Sequence, residues 1–206
     1  MLKVGLTGGV ACGKSTIAAM FEHRGAHVIR ADEVAHKLME PGQPVYEAVV
    51  NHFGRGILDP VGSISRPKLA QIAFEGRIQE LNGLVHPAVI RHQDEWMERI
   101  GREHPDAVAM VEAALMIEAG AAGRLDRLIT VTCDFEHKVA RFANRTGTTL
   151  EQAREEVRRR MAAQLPDEQK AAAANYVIDN SGTLERAEAQ VARIWKELVE
   201  SARTEV

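Results

Sequence analysis

The chain has little cysteine and no long apolar segment. Its 206 residues include two cysteines, Cys12 and Cys133, which lie far apart and form no Cys-x-x-Cys pair. This argues against a disulfide scaffold or a zinc site and favours a reducing compartment. No apolar run approaches the roughly 18 residues of a membrane-spanning helix, and the N-terminal segment lacks the apolar core of a signal peptide. We therefore expect a cytoplasmic protein with no membrane partner.

The chain also lacks an excess of basic charge. It has 26 lysines and arginines against 29 acidic residues, which gives a formal net charge of −3. This balance argues against a general nucleic-acid-binding protein, so we expect no nucleic-acid partner. Hydrophobic residues make up 45% of the chain and charged residues 27%, as is typical of a globular protein. We expect a monomer or a weak homo-oligomer.

Short apolar segments separated by helical patterns predict an α/β fold. Because the strands are apolar along most of their length, we expect a parallel sheet with helices on both faces. The expected architecture is a three-layer sandwich around a parallel five-stranded sheet. The predicted strands are residues 2–7, 27–32, 107–113, 125–133 and 175–180.

Two helical segments interrupt this alternation. Residues 33–105 predict several helices with glycine- and proline-bearing connections, and residues 135–170 predict strongly charged helices. We interpret the first segment as a substrate-binding subdomain and the second as a lid. The remaining core consists of residues 1–32, 106–134 and 171–206.

Two signals mark helices in the C-terminal half. Thr149 and Gln152 have the spacing of a capping box at a helix start. A final helix is predicted over residues 183–200, because apolar side chains recur there at a period of 3.6. That apolar face contains Leu184, Ala187, Val191, Ile194, Trp195 and Leu198.

The most specific motif lies in residues 5–16, GLTGGVACGKST. It satisfies the pattern G-x-x-x-x-G-K-S/T between a predicted strand and a predicted helix, which indicates a P-loop NTPase-type fold. Glycines let backbone amides face phosphate oxygens, and the helix N-terminus adds positive charge. Lys14 can span the β- and γ-phosphates of ATP, and the Ser15 hydroxyl can bind Mg²⁺. The expected nucleotide-binding residues are Gly8, Gly9, Val10, Ala11, Cys12, Gly13, Lys14, Ser15 and Thr16.

Cys12 within this loop has two interpretations. The helix N-terminus can lower the pKa of a thiol and make it oxidisable. Alternatively, the loop needs a small side chain at this position, and cysteine is small enough. We favour the second interpretation.

A switch GTPase does not fit the rest of the chain. The pattern D-x-x-G occurs at residues 59–62, in a glycine- and proline-rich loop, and at residues 179–182, too near the C-terminus. The guanine-reading pattern N-K-x-D does not occur. A phosphotransferase instead needs an acid near the acceptor hydroxyl and arginines that close over the phosphates.

Several charged residues suit a phosphotransferase. Asp32 follows the second predicted strand, where α/β sheets present groups to ligands, and it can orient an acceptor hydroxyl. The alternative is that Asp32 is the N-cap of a helix that begins at Glu33. Glu112 ends the third predicted strand and can reach Mg²⁺ through water; the alternative is a structural role, which acids at strand ends commonly have. Arg141 and Arg145 lie one helical turn apart, so both guanidinium groups can face phosphates.

The sequence resembles the bacterial dephospho-CoA kinase family over residues 3–195. This resemblance implies transfer of the γ-phosphate of ATP to the ribose 3′-hydroxyl of dephospho-CoA, which completes coenzyme A synthesis. The matching segments, in chain order, are GLTGGVACGKST (5–16), VIRADEVAHKL (28–38), SRPKLAQIAF (65–74), LVHPAV (84–89), EAALMIE (112–118), ARFANR (140–145), MAAQLP (161–166) and YVIDNSG (176–182).

The resemblance implies roles for individual residues. Asp32 falls on the catalytic aspartate of the family, and Arg141 and Arg145 fall on arginines of its lid. Arg66 and His86 fall on motif positions of the region that binds the acceptor. From the residues alone, His86, which precedes Pro87, is interpreted as a packing residue at the start of a helix. The segment DNSG is expected to line the adenine end of the ATP site, mostly through backbone groups.

Five positions depart from the family pattern. Arg30 replaces an acid beside Asp32, and we expect it either to affect acceptor orientation or to pair with a surface acid. Lys138 replaces a glutamine before the lid arginine, and Asn175 replaces an aspartate before the last strand. Glu112 replaces an aspartate of many members, and Ala114 replaces a proline.

Two other functions stay open at this point. One is a kinase for another small acceptor, such as a nucleoside monophosphate or shikimate. The other is a nucleotide-binding module without catalytic activity. The long helical segment after Asp32 favours a bulky acceptor over a small one.

Overall fold

The protein contains the expected five-stranded sheet. A computed structural model describes residues 1–72 and 76–204, and the backbone alone for Arg66. The five strands lie in the order β2-β3-β1-β4-β5, and the register of the β1–β3, β1–β4 and β4–β5 pairs is parallel. The predicted parallel α/β fold is therefore confirmed. The strands are β1 (Leu2–Gly8), β2 (His27–Arg30), β3 (Val108–Glu112), β4 (Arg127–Thr132) and β5 (Tyr176–Asp179).

Helices connect the strands. Short 3₁₀ turns occur at Arg55–Ile57 and Ala122–Arg124. No helix in the described ranges combines the length and the hydropathy of a membrane span. The α-helices are α1 (Lys14–Glu22), α2 (Ala31–Leu38), α3 (Pro44–Phe53), α4 (Arg66–Ile72), α5 (Ile78–Glu103), α6 (Phe135–Thr146), α7 (Leu150–Ala162), α8 (Asp167–Ala173) and α9 (Leu184–Thr204).

The chain forms two compact units, Met1–Ile29 with Met97–Val206, and Arg30–Trp96. The first unit contains the phosphate-binding loop motif, and the second contains α2, α3, α4 and most of α5. In the second unit, the Asp59 carboxylate accepts hydrogen bonds from the backbone amides of Val61 and Ser63. The D-x-x-G pattern at residues 59–62 is therefore part of a closed turn.

The core of the first unit lies between the sheet and helices α1 and α9. The predicted apolar face of α9 is mostly confirmed, because Ala187, Val191, Ile194 and Leu198 are buried. Leu184 belongs to the same predicted face but is 55% exposed. It is the first residue of the helix and lies where the chain enters α9 from the surface.

The boundary between β2 and α2 differs from the prediction. The strand ends at Arg30, and the helix begins at Ala31. The predicted strand at residues 27–32 is therefore two residues too long, and the N-cap interpretation of Asp32 is wrong, because Arg30 occupies the N-cap position. Acidic side chains in the first turn stabilise a helix by facing its positive N-terminal end, and Asp32 and Glu33 both lie there.

Helices α6 and α7 pack against each other and against the phosphate-binding loop. The predicted capping box is confirmed: the Thr149 hydroxyl accepts from the Gln152 amide at 3.3 Å, and the Gln152 side chain accepts from the Thr149 amide at 3.1 Å. The apolar cluster beneath these helices contains Val10, Val139, Phe142, Ala143, Ala153 and Val157.

A buried lysine fixes the segment after β3. Lys170 in α8 has no exposed surface, and its ammonium lies 2.8 Å from Glu118 Oε1 and donates to the Ala114 carbonyl at 3.1 Å. Glu118 also accepts from the Leu165 amide at 3.1 Å. Burial alone would raise the pKa of Glu118, but these hydrogen bonds hold that pKa below its ordinary value.

We expect Thr149→Ala to lower the free energy of unfolding by about 1 kcal/mol, because the amides at the start of α7 lose their acceptor. Urea denaturation measures this change. Thr149→Ser keeps the hydroxyl and should retain most of the stability, so equal losses in the two variants would contradict the role of the capping box.

We also expect the contribution of Glu118 to depend on pH. Its pKa is lower in the folded chain, so its carboxylate stabilises the fold above the unfolded-state pKa, and this contribution is lost as pH falls through the folded-state pKa. Glu118→Gln should therefore be less stable than the wild type near pH 7, with a smaller difference near about pH 4. Urea denaturation at both values tests this, with the exposed Glu188→Gln as control. A pH-independent difference would contradict it.

Candidate functional site

The phosphate-binding loop runs from the end of β1 to the start of α1, and close contacts require glycine at both ends. A Cβ on Gly8 would lie 2.2 Å from the Val131 carbonyl oxygen, and a Cβ on Gly13 would lie 2.3 Å from Asn180 Nδ2. Gly13 also has a positive φ of 89°, which side-chain-bearing residues rarely adopt. The loop therefore lies tightly against the ends of β4 and β5.

The carbonyl group of Cys12 anchors this loop. It accepts a hydrogen bond from Arg141 Nη1 at 3.2 Å and from Asn180 Nδ2 at 2.8 Å. Arg141 also donates to the Asn180 carbonyl at 2.8 Å. Ala11, next to Cys12, has a φ of 53°, which is uncommon for a residue with a side chain. The surrounding hydrogen bonds hold this conformation.

Lys14 and Ser15 lie at the start of α1 and face different partners. Lys14 Nζ donates to the carbonyl oxygens of Gly8 and Gly9, both at 3.2 Å. The Ser15 hydroxyl donates to Glu112 Oε1 at 2.8 Å. Glu112 ends β3 and is 8% exposed. The ammonium therefore folds back over the loop, while the serine hydroxyl contacts a carboxylate.

An open cavity of about 580 Å³ adjoins the loop, within the range of about 300–1,000 Å³ typical of ligand sites. Two guanidinium groups from one face of α6 and one ammonium line it, so the cavity suits an anionic ligand. Its lining residues are Ala11, Gly13, Lys14, Ser15, Thr16, Arg141, Arg145, Asn180, Gly182 and Leu184.

Three arginines of the next helix, α7, form ion pairs on the surface. Arg154 forms two hydrogen bonds of 2.6 Å with Glu136. Arg159 and Arg160 both contact Glu156, and these hydrogen bonds lower the pKa of Glu156 to about 2. Arg145 lies over the Phe142 ring at 5.4 Å and, unlike the α7 arginines, also lines the cavity.

The segment at the end of β5 is fixed by short-range hydrogen bonds. The Asp179 carboxylate accepts from the Ser181 amide at 2.9 Å, and the Ser181 hydroxyl accepts from the Asp134 amide at 2.9 Å. Asn175, before β5, accepts from the Leu128 amide at 2.7 Å. A carboxylate can accept the same bond, so asparagine at this position preserves the attachment of β5 to β4.

The structure decides between the two interpretations of Cys12. The side chain has no exposed surface. Burial raises the pKa of Cys12, and the nearby Lys14 charge lowers it by less. The hypothesis of a low-pKa, oxidisable thiol is therefore wrong. Burial likewise raises the pKa of Cys133 to about 11.

Four residues singled out in the sequence lie in the second unit. Asp32 is exposed in the first turn of α2, and Arg30 Nε lies 4.0 Å from Glu33 Oε1. His86 lies within α5, which begins at Ile78, so it is not at a helix start. Burial lowers the pKa of His86 and favours its neutral form. Arg66 begins α4, and its side chain lies outside the described residues.

Sequence reasoning missed two side chains beside the loop. The Asn180 side chain, and not only its backbone, binds the Cys12 carbonyl. Asp167 lies against Gly9, where a Cβ would come within 2.5 Å of its Oδ1 atom. The segment DNSG pointed to the region of Asn180, but no motif includes Asp167.

The donor set near Ser15 consists of oxygen atoms. The hydroxyl of Ser15 and the carboxylate of Glu112 are both ligand types that Mg²⁺ prefers, and Mg²⁺ usually adds waters and substrate phosphates to a few protein ligands. The described part of the chain contains no group of three or more histidine, cysteine, aspartate or glutamate side chains placed to hold a metal. These residues therefore fit a magnesium ion bound together with a nucleotide.

Comparisons with known proteins agree with this site. Residues 2–186 match the family model of dephospho-CoA kinases. A dephospho-CoA kinase of Geobacter metallireducens is 42% identical over 202 residues, which cover 97% of this chain and 98% of the relative. A dephospho-CoA kinase of Aquifex aeolicus is 38% identical over 200 residues, which cover 96% and 98%.

A solved structure, that of TT1252 from Thermus thermophilus, is similar over nearly the whole chain. Its TM-score is 0.79 at 32% identity, and the match covers 96% of this chain and 97% of that one. Together with the family model and the relatives, this likeness extends through the phosphate-binding loop, the helical segments and the sheet. The chain belongs to the dephospho-CoA kinase family.

Proposed function

We propose that this protein transfers the γ-phosphoryl group of ATP to the ribose 3′-hydroxyl of dephospho-CoA, giving coenzyme A and ADP. This reaction is the last step of coenzyme A biosynthesis, and we assign it to the cytoplasm. The family match over residues 2–186 carries the proposal. The cationic cavity beside the phosphate-binding loop supports it, because a triphosphate needs such a site.

The proposed donor site uses Lys14, Arg141 and Arg145. Lys14 Nζ contacts two neutral carbonyl oxygens at 3.2 Å. Charge-assisted hydrogen bonds to phosphate are stronger than bonds to carbonyls, so the ammonium is expected to move to the β- and γ-phosphates of ATP. Arg141 already spans the Cys12 and Asn180 carbonyls, which holds its guanidinium at the loop. The loop residues Gly8 to Thr16 supply backbone amides.

We propose that Ser15 binds Mg²⁺ directly and that Glu112 does so through water. The contact between the Ser15 hydroxyl and the Glu112 carboxylate supports this pairing. When bound with ATP, Mg²⁺ would offset the negative charge that develops on the phosphates. Glu112 is longer than the aspartate of many family members, and its Oε1 atom reaches the serine at 2.8 Å.

The proposed acceptor site uses Asp32, Arg66 and His86. Asp32 is the residue that would orient the 3′-hydroxyl and accept its proton, and its carboxylate is exposed in the first turn of α2. Arg66 and His86 would hold dephospho-CoA, within a CoA-binding subdomain of residues 33–105. The contact of Arg30 with Glu33 favours the surface-pairing interpretation of this departure.

We further propose that residues 135–170 act as a lid over the nucleotide. Arg141 and Arg145 project from this segment into the cavity. Exclusion of water by such a lid would suppress hydrolysis of ATP in the absence of the acceptor. We keep the expectation of a monomer or a weak homo-oligomer with no nucleic-acid partner.

The direct test is ATP-dependent conversion of dephospho-CoA to coenzyme A by the purified protein. We expect turnover with dephospho-CoA and none above background with adenosine monophosphate or shikimate. Lys14→Met is the control, because it removes the phosphate-binding charge while keeping the length of the side chain. Turnover of another acceptor would contradict the proposed substrate. ATP binding without any phosphorylation would favour a nucleotide-binding module.

We expect Asp32→Asn to lower kcat by at least about a hundredfold, the lower range for loss of acid–base catalysis. The ATP dissociation constant should be unchanged, since Asp32 is assigned to the acceptor. Glu33→Gln is a matched control, because it removes the same charge from the next residue of the same helix turn. Near-normal turnover by Asp32→Asn would remove this residue from the mechanism.

A further inference from the structure

An ion pair between a buried lysine and a partly exposed aspartate lies beside the phosphate-binding loop. Lys138, in the second turn of α6, is 1% exposed, and its ammonium forms a salt bridge with Asp167, the first residue of α8. A buried ammonium is tolerated only when a nearby group compensates its charge. Asp167 therefore provides the charge that allows Lys138 to occupy this position.

The pair contacts the loop at Gly9. A Cβ on Gly9 would lie 2.5 Å from Asp167 Oδ1 and 3.2 Å from Lys138 Nζ. Gly9 has no left-handed φ, so the need for glycine comes from the space that the ion pair leaves. On its carbonyl side, Gly9 accepts a hydrogen bond from Lys14 at 3.2 Å. Gly9 thus lies against both the Lys138–Asp167 pair and Lys14 of the phosphate-binding motif.

Helix α6 contacts the loop at a second point. Arg141, three residues after Lys138, donates to the Cys12 carbonyl at 3.2 Å. The Gly9 carbonyl and the Cys12 amide are themselves joined by a backbone hydrogen bond of 3.5 Å. The loop is therefore held at Gly9 by the ion pair and at Cys12 by the arginine.

The two charges of the pair oppose each other at the loop. After burial and the nearby Lys14, the next influences on the pKa of Cys12 are the charge of Asp167, which raises it, and that of Lys138, which lowers it. A bound triphosphate brings several negative charges to the same loop. The charges of Lys138 and Asp167 therefore both contribute, with opposite signs, to the electrostatic potential at the phosphates.

We propose that the Lys138–Asp167 ion pair sets the affinity of the phosphate-binding loop for the triphosphate, with the two partners acting in opposite directions. Lys138 attracts the phosphates, and Asp167, which also lies against Gly9, offsets that attraction. Both act on the phosphates without touching them, since neither lines the cavity. The inference rests on the proposed use of this loop for ATP.

The test compares Lys138→Gln, Asp167→Asn and the double variant by calorimetric titration with ATP and with adenosine. Lys138→Gln leaves an uncompensated carboxylate and should raise the ATP dissociation constant at least about fivefold, as expected for one nearby charge at intermediate dielectric. Asp167→Asn leaves an ammonium whose charge the phosphates of bound ATP then compensate, so it should lower the ATP dissociation constant by a similar factor of about five. The double variant is neutral again and should bind ATP within about twofold of the wild type. Adenosine affinity should not change.

Matched controls separate this effect from a general change in charge. Glu136 and Arg154 form an exposed ion pair between α6 and α7. Glu136→Gln removes one negative charge from the protein, as Asp167→Asn does, and Arg154→Gln removes one positive charge, as Lys138→Gln does. Neither control should change the ATP dissociation constant by more than about twofold, because exposed charges are screened by solvent.

Opposite shifts in ATP affinity with constant adenosine affinity would support the proposal. Shifts in the same direction, or equal shifts for ATP and adenosine, would overturn it and leave the pair with a structural role only. If Lys138→Gln does not fold, Asp167→Asn still decides, since a structural role predicts weaker ATP binding. If neither single variant folds, Lys138→Arg and the double variant decide, because the proposal requires wild-type ATP affinity in both. A wild type that binds ATP but does not phosphorylate dephospho-CoA would contradict the proposed function alone.

Discussion

The candidate site depends on the hydrogen bonds to the Cys12 carbonyl. This group lies inside a loop with a left-handed alanine at position 11, and two donors from distant parts of the chain hold it. Arg141 comes from α6, and Asn180 comes from the end of β5. Both donors also line the cavity, so the contacts that shape the loop place a guanidinium and an amide beside its opening. The same two side chains therefore hold the loop and line the cavity.

The fold buries two lysine side chains, and removing their charges from water costs free energy. Lys138 and Lys170 have almost no exposed surface, and each is compensated by one carboxylate, Asp167 and Glu118 respectively. Both lysines join segments that are distant in sequence. Lys170 holds the segment after β3, and Lys138 lies against Gly9 of the phosphate-binding loop. Such pairs contribute little net stability compared with apolar packing, so their value lies in fixing where these segments meet.

Sequence patterns predicted the elements whose signals are local. The phosphate-binding loop lies between β1 and α1 because glycine spacing and the Lys-Ser pair mark a strand–helix turn. The capping box at Thr149 was predictable because its two hydrogen bonds lie within four residues. The end of β2 was not predictable, because Ala31 and Asp32 follow an apolar strand with no turn residue between them. The boundary is set instead by the start of α2, where acidic side chains in the first turn stabilise the helix.

The sequence by itself determined the family, the parallel α/β fold and the position of the phosphate-binding loop, because these depend on short motifs and on the periodicity of apolar residues. Only the tertiary structure decided which side chains support the loop. Asp167 belongs to no motif, yet it lies against Gly9, and Cys12 proved to be buried rather than reactive. The physical reason is that desolvation and charge compensation depend on neighbours in space, and those neighbours come from segments far apart in the chain.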